Sequence, residues 1–159
     1  MLTIEQVEKV WERMIEAEVR ALYFGDLANY YTRWKQWITG GSFFLSSGAA
    51  ATVIAKAPTF VPVGMSAVVA LAQALAIAWN LDSAIRTMAT LNKGWSEIAA
   101  GYERVYSDPY TDQSEISYHQ IGEKERELSM LATTDAPNDQ KRLGKWQKRV
   151  LELRHLRDA

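Results

Sequence analysis

The run QWITGGSFFLSSGAAATVIA at residues 36–55 contains no ionisable side chain, although Asp, Glu, Lys and Arg make up 23% of the chain. After Lys56 a second uncharged run, APTFVPVGMSAVVALAQALAIAWNL, covers residues 57–81 and ends at Asp82. Each run can supply about 20 helical residues, and at about 1.5 Å per residue such a helix covers the roughly 30 Å hydrocarbon core of a bilayer. The sequence therefore predicts two membrane-spanning helices, near residues 36–55 and 59–81.

The connection between these two spans is short and contains two prolines. Pro58 disfavours helix at the residue before it, and Pro62 fits the first turn of the next helix. Two spans joined so closely must be antiparallel, so we expect a transmembrane helical hairpin over residues 36–81. The alternative is a buried hairpin in a soluble helical bundle, which the Gly, Ser and Ala content of the first run favours.

Flanking charge predicts the orientation of the hairpin. Basic residues lie outside the two spans at Arg33, Lys35, Arg86 and Lys93, whereas the loop carries only Lys56. The positive-inside rule then assigns both termini to the cytoplasm, with Trp34, Trp37 and Trp79 at the cytoplasmic interface. The first twenty residues are too highly charged to form an apolar signal segment, which also favours a cytoplasmic amino terminus.

Small and polar residues recur within the spans. The polar ones form a row in the second span at Ser66, Gln73 and Asn80, and a shorter row in the first at Thr39, Ser42 and Ser46. Residues seven apart lie on nearly the same face of a helix. One interpretation is the lining of a water-filled path through an oligomer of hairpins. The other is that these groups only bond between helices.

A three–four periodicity follows the second span and predicts a long helix over residues 82–108. Its apolar positions are Leu81, Ala84, Met88, Leu91, Trp95, Ile98, Tyr102 and Val105. Such spacing is typical of a coiled-coil-like seam, and Pro109 is expected to end the helix. We expect this seam to join copies of the chain in a homo-oligomer, although periodicity leaves pairing within one chain open.

The remaining sequence predicts further helices with opposite charge. Residues 1–35 form an amino-terminal helix, with Thr3 and Gln6 spaced as a capping box. Residues 109–159 form a carboxy-terminal helical region, with helices near 113–132 and 139–157. The last helix has a basic face made of Lys141, Arg142, Lys145, Lys148, Arg149, Arg154 and Arg157. This face could dock on the acidic first helix, lie on anionic lipid with Trp146 as anchor, capture an anionic ligand, or remain solvated.

The composition provides few residues suited to catalysis or metal binding. A net charge of −1 argues against a general nucleic-acid binder, and the chain has two histidines and no cysteine. It contains no nucleotide-binding loop, nucleophile elbow, zinc-protease motif or calcium loop. We therefore expect no enzyme activity, catalytic residue, cofactor, metal or nucleic-acid partner.

The arrangement resembles the SLATT family of bacterial two-span proteins. An amino-terminal helix leads into a close pair of spans, and the second continues as Trp79-Asn80-Leu81-Asp82, then Arg86, Leu91 and Tyr102. The resemblance covers roughly residues 5–106. It implies an oligomeric membrane effector of a bacterial antiviral defence system, which perforates or depolarises the inner membrane in response to a separate sensor protein. The alternative is a membrane-anchored scaffold that conducts nothing.

Overall fold

The computed structural model describes residues 2–46, 64, 67–71, 73–74 and 80–157, with side chains described up to residues 44 and 154 at the two outer limits. Four helices have defined bounds: α1 (Ile4–Ser46), α2 (Leu81–Ser107), α3 (Asp112–Asp135) and α4 (Gln140–Arg157). Residues 64, 67–71, 73 and 74 are also helical, and the described ranges contain no strand. The predicted all-α class is therefore confirmed for this part of the chain.

Local signals in the sequence account for where these helices begin and end. The predicted capping box at the start of α1 is present, since the Thr3 amide donates to Gln6 Oε1 (2.8 Å) and the Gln6 amide donates to Thr3 Oγ1 (3.3 Å). Helix α2 ends just before Pro109, as expected. At the start of α4, Asp139 Oδ1 accepts the Arg142 amide at 3.0 Å, and this bond satisfies one of the first free amides of the helix.

The chain divides into two compact units, which are described separately. Unit 1 comprises Met1–Leu27 and Thr87–Ala159, and unit 2 comprises Ala28–Arg86. In unit 1, α1 and α2 are antiparallel. Trp11 lies 5.2 Å from Tyr106 between ring centroids, and further along both helices the Arg20 guanidinium lies 4.5 Å above the Trp95 ring. Contacts of α3 with α2 and of α4 with α1 also run antiparallel, so unit 1 is an up-down-up-down four-helix bundle.

Side chains from α1 and α2 form the core of unit 1. The α2 seam supplies Met88, Leu91, Trp95, Ile98, Tyr102 and Val105, none of them more than 3% exposed. Helix α1 supplies a matching three–four series, Val10, Met14, Ala17, Ala21 and Phe24. The seam therefore pairs within the chain over these six positions, and they are not free to join copies in this packing. Its first two positions, Leu81 and Ala84, belong to unit 2.

Helix α3 approaches α2 closely at two glycines that are seven residues apart. A Cβ added at Gly94 would lie 2.6 Å from Leu128 Cδ1, and one added at Gly101 would lie 3.0 Å from Ile121 Cδ1. The missing side chains let both α3 residues pack directly on the α2 backbone. Glycine inside a helix is otherwise unfavourable by about 1 kcal/mol relative to alanine, so this close packing explains both positions.

Candidate functional site: the uncharged hairpin and the basic last helix

The first uncharged run begins within α1. The helix continues without interruption through residues 36–46, and large apolar side chains on it face solvent. Trp37 is 80% exposed and Phe43 is 79% exposed, while Trp34, just before the run, is 50% exposed. In the second run, Val68 and Leu71 are also exposed. Unit 2 thus presents apolar surface on both uncharged runs where side chains are described.

Most of the two predicted spans lies outside the described residues. This applies to residues 47–63, 65–66, 72 and 75–79, which include the loop, Ser66 and Trp79. In the portion of the chain that the structure does describe, no helix combines the length and apolar character needed to cross a bilayer.

The predicted polar rows are only partly visible. Gln73 is helical and exposed, Thr39 is exposed and Ser42 is half-buried. Ser46 ends α1, with its side chain outside the described set, and Ser66 lies outside the described residues altogether. The described residues therefore do not test whether the two rows face each other.

Asn80 does not have the helical backbone that the predicted row assumed for it. Its φ of 43° places it in the left-handed region, and α2 begins only at the next residue. The predicted row assumed helical backbone at Asn80, and a left-handed residue does not have the backbone conformation of an α-helix. Asn80 instead acts locally, because its carbonyl accepts the Ala84 amide at 3.1 Å in the first turn of α2. Asparagine tolerates this conformation better than most residues.

An ion pair joins α1 and α2 beside the two uncharged runs. Lys35 Nζ lies 2.6 Å from Asp82 Oδ1, and this hydrogen bond together with the charge attraction lowers the pKa of Asp82. The two residues are the last charge before the first uncharged run and the first charge after the second. The positive-inside rule assigns Lys35 only a role in orientation, but the opposite charges at the outer ends of the two runs are a signal that could have predicted the pair.

Two arginines of the predicted basic face point into unit 1. Arg154 is 15% exposed and contacts Glu18 of α1 at 2.9 Å and Glu103 of α2 at 3.2 Å. Burial acts to lower the pKa of Arg154, but its hydrogen bonds and its attraction to both carboxylates outweigh this and raise it. Nearer the start of α4, Arg142 lies 3.7 Å from Asp26. Docking on the acidic first helix, one of the four sequence interpretations, is thus observed within the chain.

The rest of the basic face points outward. Lys141, Lys145, Lys148 and Arg149 are exposed, and the side chain of Arg157 lies outside the described set. Trp146 is half-buried, and its Nε1 donates to Asp26 Oδ2 at 3.4 Å. In this packing Trp146 therefore belongs to the bundle and is not available as a lipid anchor.

A polar cluster in unit 1 was missed by the sequence analysis. The Tyr102 hydroxyl donates to Glu125 Oε2 at 2.7 Å and accepts from Arg13 Nη1 at 3.4 Å, linking α1, α2 and α3. Burial raises the pKa of Tyr102, and Glu125 adds to this effect while Arg13 opposes it. The hydroxyl therefore remains protonated and continues to donate. Tyr102 occupies a seam position, where the periodicity predicts an apolar contact. Only its hydroxyl group indicates that it also makes polar contacts.

Neither a metal centre nor a known relative guides the assignment of this site. Across the described residues, no three His, Asp or Glu side chains are grouped so that they could hold a metal ion. Comparison of the chain with protein-family models, with curated proteins and with solved structures finds no match.

Proposed function

We propose that residues 36–81 insert into the bacterial inner membrane as a helical hairpin, with both termini in the cytoplasm. In this proposal the chain assembles into an oligomer that perforates or depolarises the membrane as the effector of a defence system. The observation that carries the insertion step is the continuation of α1 into an uncharged stretch on which Trp37 and Phe43 are largely exposed to solvent.

Exposed apolar surface of this kind favours transfer into lipid. Burial is favourable by about 25 cal/mol per Å² of apolar surface, so a phenylalanine or tryptophan that inserts gains roughly 1.5–3 kcal/mol. Tryptophans are also enriched where lipid meets water, which suits Trp34 and Trp37 at the start of the run. The Lys35–Asp82 pair brackets the uncharged segment, so that no ionisable side chain other than Lys56 needs to enter the bilayer.

The effector role rests on the resemblance to SLATT proteins and on the polar side chains of the spans. Thr39 and Gln73, both exposed, are the described positions from which a water-filled path could be lined. Ser, Thr and Gln are tolerated in spans and can serve a path without the cost of a charge. A separate sensor protein would supply the trigger.

A membrane-anchored scaffold without conduction is the second proposal, and one specific observation favours it. Six positions of the α2 seam are buried against α1 of the same chain. Assembly through that seam would require the bundle to open, so an oligomer must use other surfaces. An anchor whose unit 1 recruits a partner needs no oligomer.

The insertion step can be tested with one substitution at two exposed positions. Phe43→Lys places a charge in the predicted span, where it disfavours insertion by about 2.5–3.5 kcal/mol. Ile116→Lys makes the same kind of change on α3, where the side chain is 52% exposed. After carbonate washing of membranes, we expect the wild-type chain and Ile116→Lys to remain in the pellet and Phe43→Lys to be partly released. Full release of the wild-type chain would contradict insertion.

Conduction then separates the two proposals. Purified protein in vesicles is assayed for dye leakage, with Gln73→Leu compared with wild type at equal incorporation. Leakage that Gln73→Leu reduces supports an effector with Gln73 in its lining. A chain that resists carbonate, is monomeric or dimeric in detergent by light scattering and causes no leakage is an anchor.

A further inference from the structure

We propose that α4 is a releasable helix of unit 1 and that an anionic lipid surface binds it once it leaves α1. The proposed membrane location supplies the lipid, whereas the release itself depends only on the contacts within unit 1. The described contacts of α4 support this proposal in three respects: burial, charge and attachment.

The first respect is burial. Among the described residues of α4, Val150 is the only fully buried apolar side chain. Leu143 and Trp146 are half-buried, and Leu151 and Leu153 are more than 40% exposed. Regions with few buried apolar contacts open at lower free energy than the rest of a domain. Helix α3 likewise has no fully buried apolar side chain among its described residues, but it packs directly on the glycines of α2, so α4 is the helix that can leave while the core between α1 and α2 stays intact.

The second respect is charge. Arg154 contacts Glu18 and Glu103, and Arg142 and Trp146 contact Asp26, so polar groups hold both ends of α4. Guanidinium groups bind phosphate oxygens with the same forked geometry that they use with carboxylates. Phosphate headgroups of anionic lipids are thus direct competitors for these arginines.

The third respect is attachment. The Tyr23 hydroxyl donates to the Pro137 carbonyl and accepts the Asp139 amide at 3.1 Å, so α1 grips the short α3–α4 connection. These two hydrogen bonds hold the amino-terminal end of α4 while the end with Arg154 separates. A helix tethered at one end and charged along its length remains close to the bundle when it is released.

The released helix has the composition of an interfacial helix. Leu143, Trp146 and Val150 follow a three–four spacing and form its apolar stripe, which the docked state covers fully at Val150 and partly at the other two positions. The basic residues that remain exposed, Lys141, Lys145, Lys148 and Arg149, add attraction to anionic lipid of about fivefold in affinity for each residue near the surface. Apolar stripe and basic flanks together are the pattern that binds such surfaces.

The absence of cysteine from the chain allows a direct test of release in the full-length protein. Glu16→Cys and Leu151→Cys place two thiols at nearly the same level of the groove between α1 and α4, and pyrene maleimide at both should give excimer emission while α4 is docked. Glu97→Cys and Lys124→Cys form a reference pair across the α2–α3 groove. Vesicles of phosphatidylcholine alone are compared with vesicles that also contain phosphatidylglycerol.

We expect phosphatidylglycerol to abolish excimer emission from the α1–α4 pair while the α2–α3 pair is unchanged, and neutral vesicles to affect neither pair. Arg154→Gln should reduce the α1–α4 signal even without lipid. Lys148→Gln, an exposed position on the same helix, should not. Loss of both signals together would show opening of the whole bundle and overturn the proposal, as would persistence of the α1–α4 signal on anionic vesicles.

The carbonate wash keeps this result distinct from the insertion test. A chain that stays in the membrane with α4 always docked refutes release and leaves the hairpin proposal standing. A chain that is washed off, yet loses the α1–α4 signal on anionic vesicles, refutes the hairpin and leaves release standing.

Discussion

Within unit 1, the pair α1–α2 and the pair α3–α4 are held by different forces. The first pair interlocks two three–four series of apolar side chains, with Trp95 and Leu91 completely buried. The second pair contributes one fully buried apolar side chain, Val150, among its described residues, and relies on contacts such as Arg154–Glu18 and Glu125–Tyr102. The hydrophobic effect thus determines the first pair. Polar contacts position the other two helices, joined in α3 by the close packing of Leu128 and Ile121 on the glycines of α2.

This difference indicates which part of unit 1 determines its stability and which part can move. Apolar burial is the dominant favourable term in folding, whereas a hydrogen bond contributes only about 0.5–1.5 kcal/mol net. Partly exposed ion pairs contribute about as little, because water competes for both charges. We therefore expect α1 and α2 to unfold last, and α4 to open before them.

The largest expected effect comes from truncating the centre of the α1–α2 pair. Trp95→Ala removes a side chain that is 0% exposed, and such truncations cost roughly 3–5 kcal/mol. Trp37→Ala, at a position 80% exposed in unit 2, is the matched control and should leave the stability of unit 1 unchanged. Urea unfolding followed by circular dichroism measures both. Equal losses from the two variants would mean that Trp95 does not anchor the core.

A second substitution at Trp95 separates the contribution of its indole N–H from that of its ring. Its Nε1 is buried and has no hydrogen-bond partner among the described residues. Since an unpaired buried donor is itself unfavourable, Trp95→Phe should cost clearly less than Trp95→Ala in the same unfolding assay.

Periodicity predicted the better-buried half of unit 1 well. The spacing from Met88 to Val105 predicted the buried face of α2, because apolar side chains at helical intervals have to face other apolar groups. The same spacing could not identify the partner helix, because pairing between two copies and pairing within one chain would bury equivalent apolar surfaces. That choice depends on the matching series from Val10 to Phe24 in α1, which the structure shows buried beside it.

Polar contacts were predicted less well. The charge totals of the first and last helices favoured their docking, but a sum of charges does not indicate that Arg154 points inward and Lys148 outward. The pattern also does not predict the backbone conformation of a single residue, and Asn80 is left-handed at a position where the apolar pattern predicts helix. Close approach at Gly94 depends on Leu128, far along the chain, so it has no local signal.

A smaller effect is expected from the polar cluster that joins the two pairs. Tyr102→Phe removes the hydroxyl between Arg13 and Glu125 and should cost about 1–2 kcal/mol. The loss stays moderate because Arg13 Nη1 and Glu125 Oε2 remain 3.5 Å apart and can still pair. Urea unfolding at neutral pH measures it. No loss at all would mean that water already satisfies this cluster.

The pH dependence of stability is a second test of the Tyr102 hydroxyl. Because burial raises the pKa of Tyr102, its folded form favours the protonated hydroxyl. This contribution is fully present below the unfolded tyrosine pKa of about 10 and is lost as the pH rises above it. The stability difference between wild type and Tyr102→Phe should therefore shrink above that pH. A constant difference would contradict the raised pKa.

The smallest effects are expected from glycine-to-alanine substitutions. They compare the loose packing around α4 with the tight packing between α2 and α3. Gly144→Ala on α4 adds a methyl group with nothing within 4 Å, so helix propensity should stabilise α4 by about 1 kcal/mol. Gly94→Ala offers the same gain, but its Cβ would lie 2.6 Å from Leu128 Cδ1, and such overpacking costs about 1–3 kcal/mol. We expect a net loss there, measured by urea unfolding, and slower hydrogen exchange of α4 amides in Gly144→Ala.

Leu128→Ala identifies the cause of the loss at Gly94. If the clash is responsible, Leu128→Ala should cost less in the Gly94→Ala background than in wild type, because the two side chains compete for one space. If Gly94→Ala instead stabilises unit 1 as much as Gly144→Ala stabilises α4, then α3 yields as easily as α4 does. In that case the close approach at Gly94 does not constrain α3, and the α1–α2 pair alone would define the rigid part of unit 1.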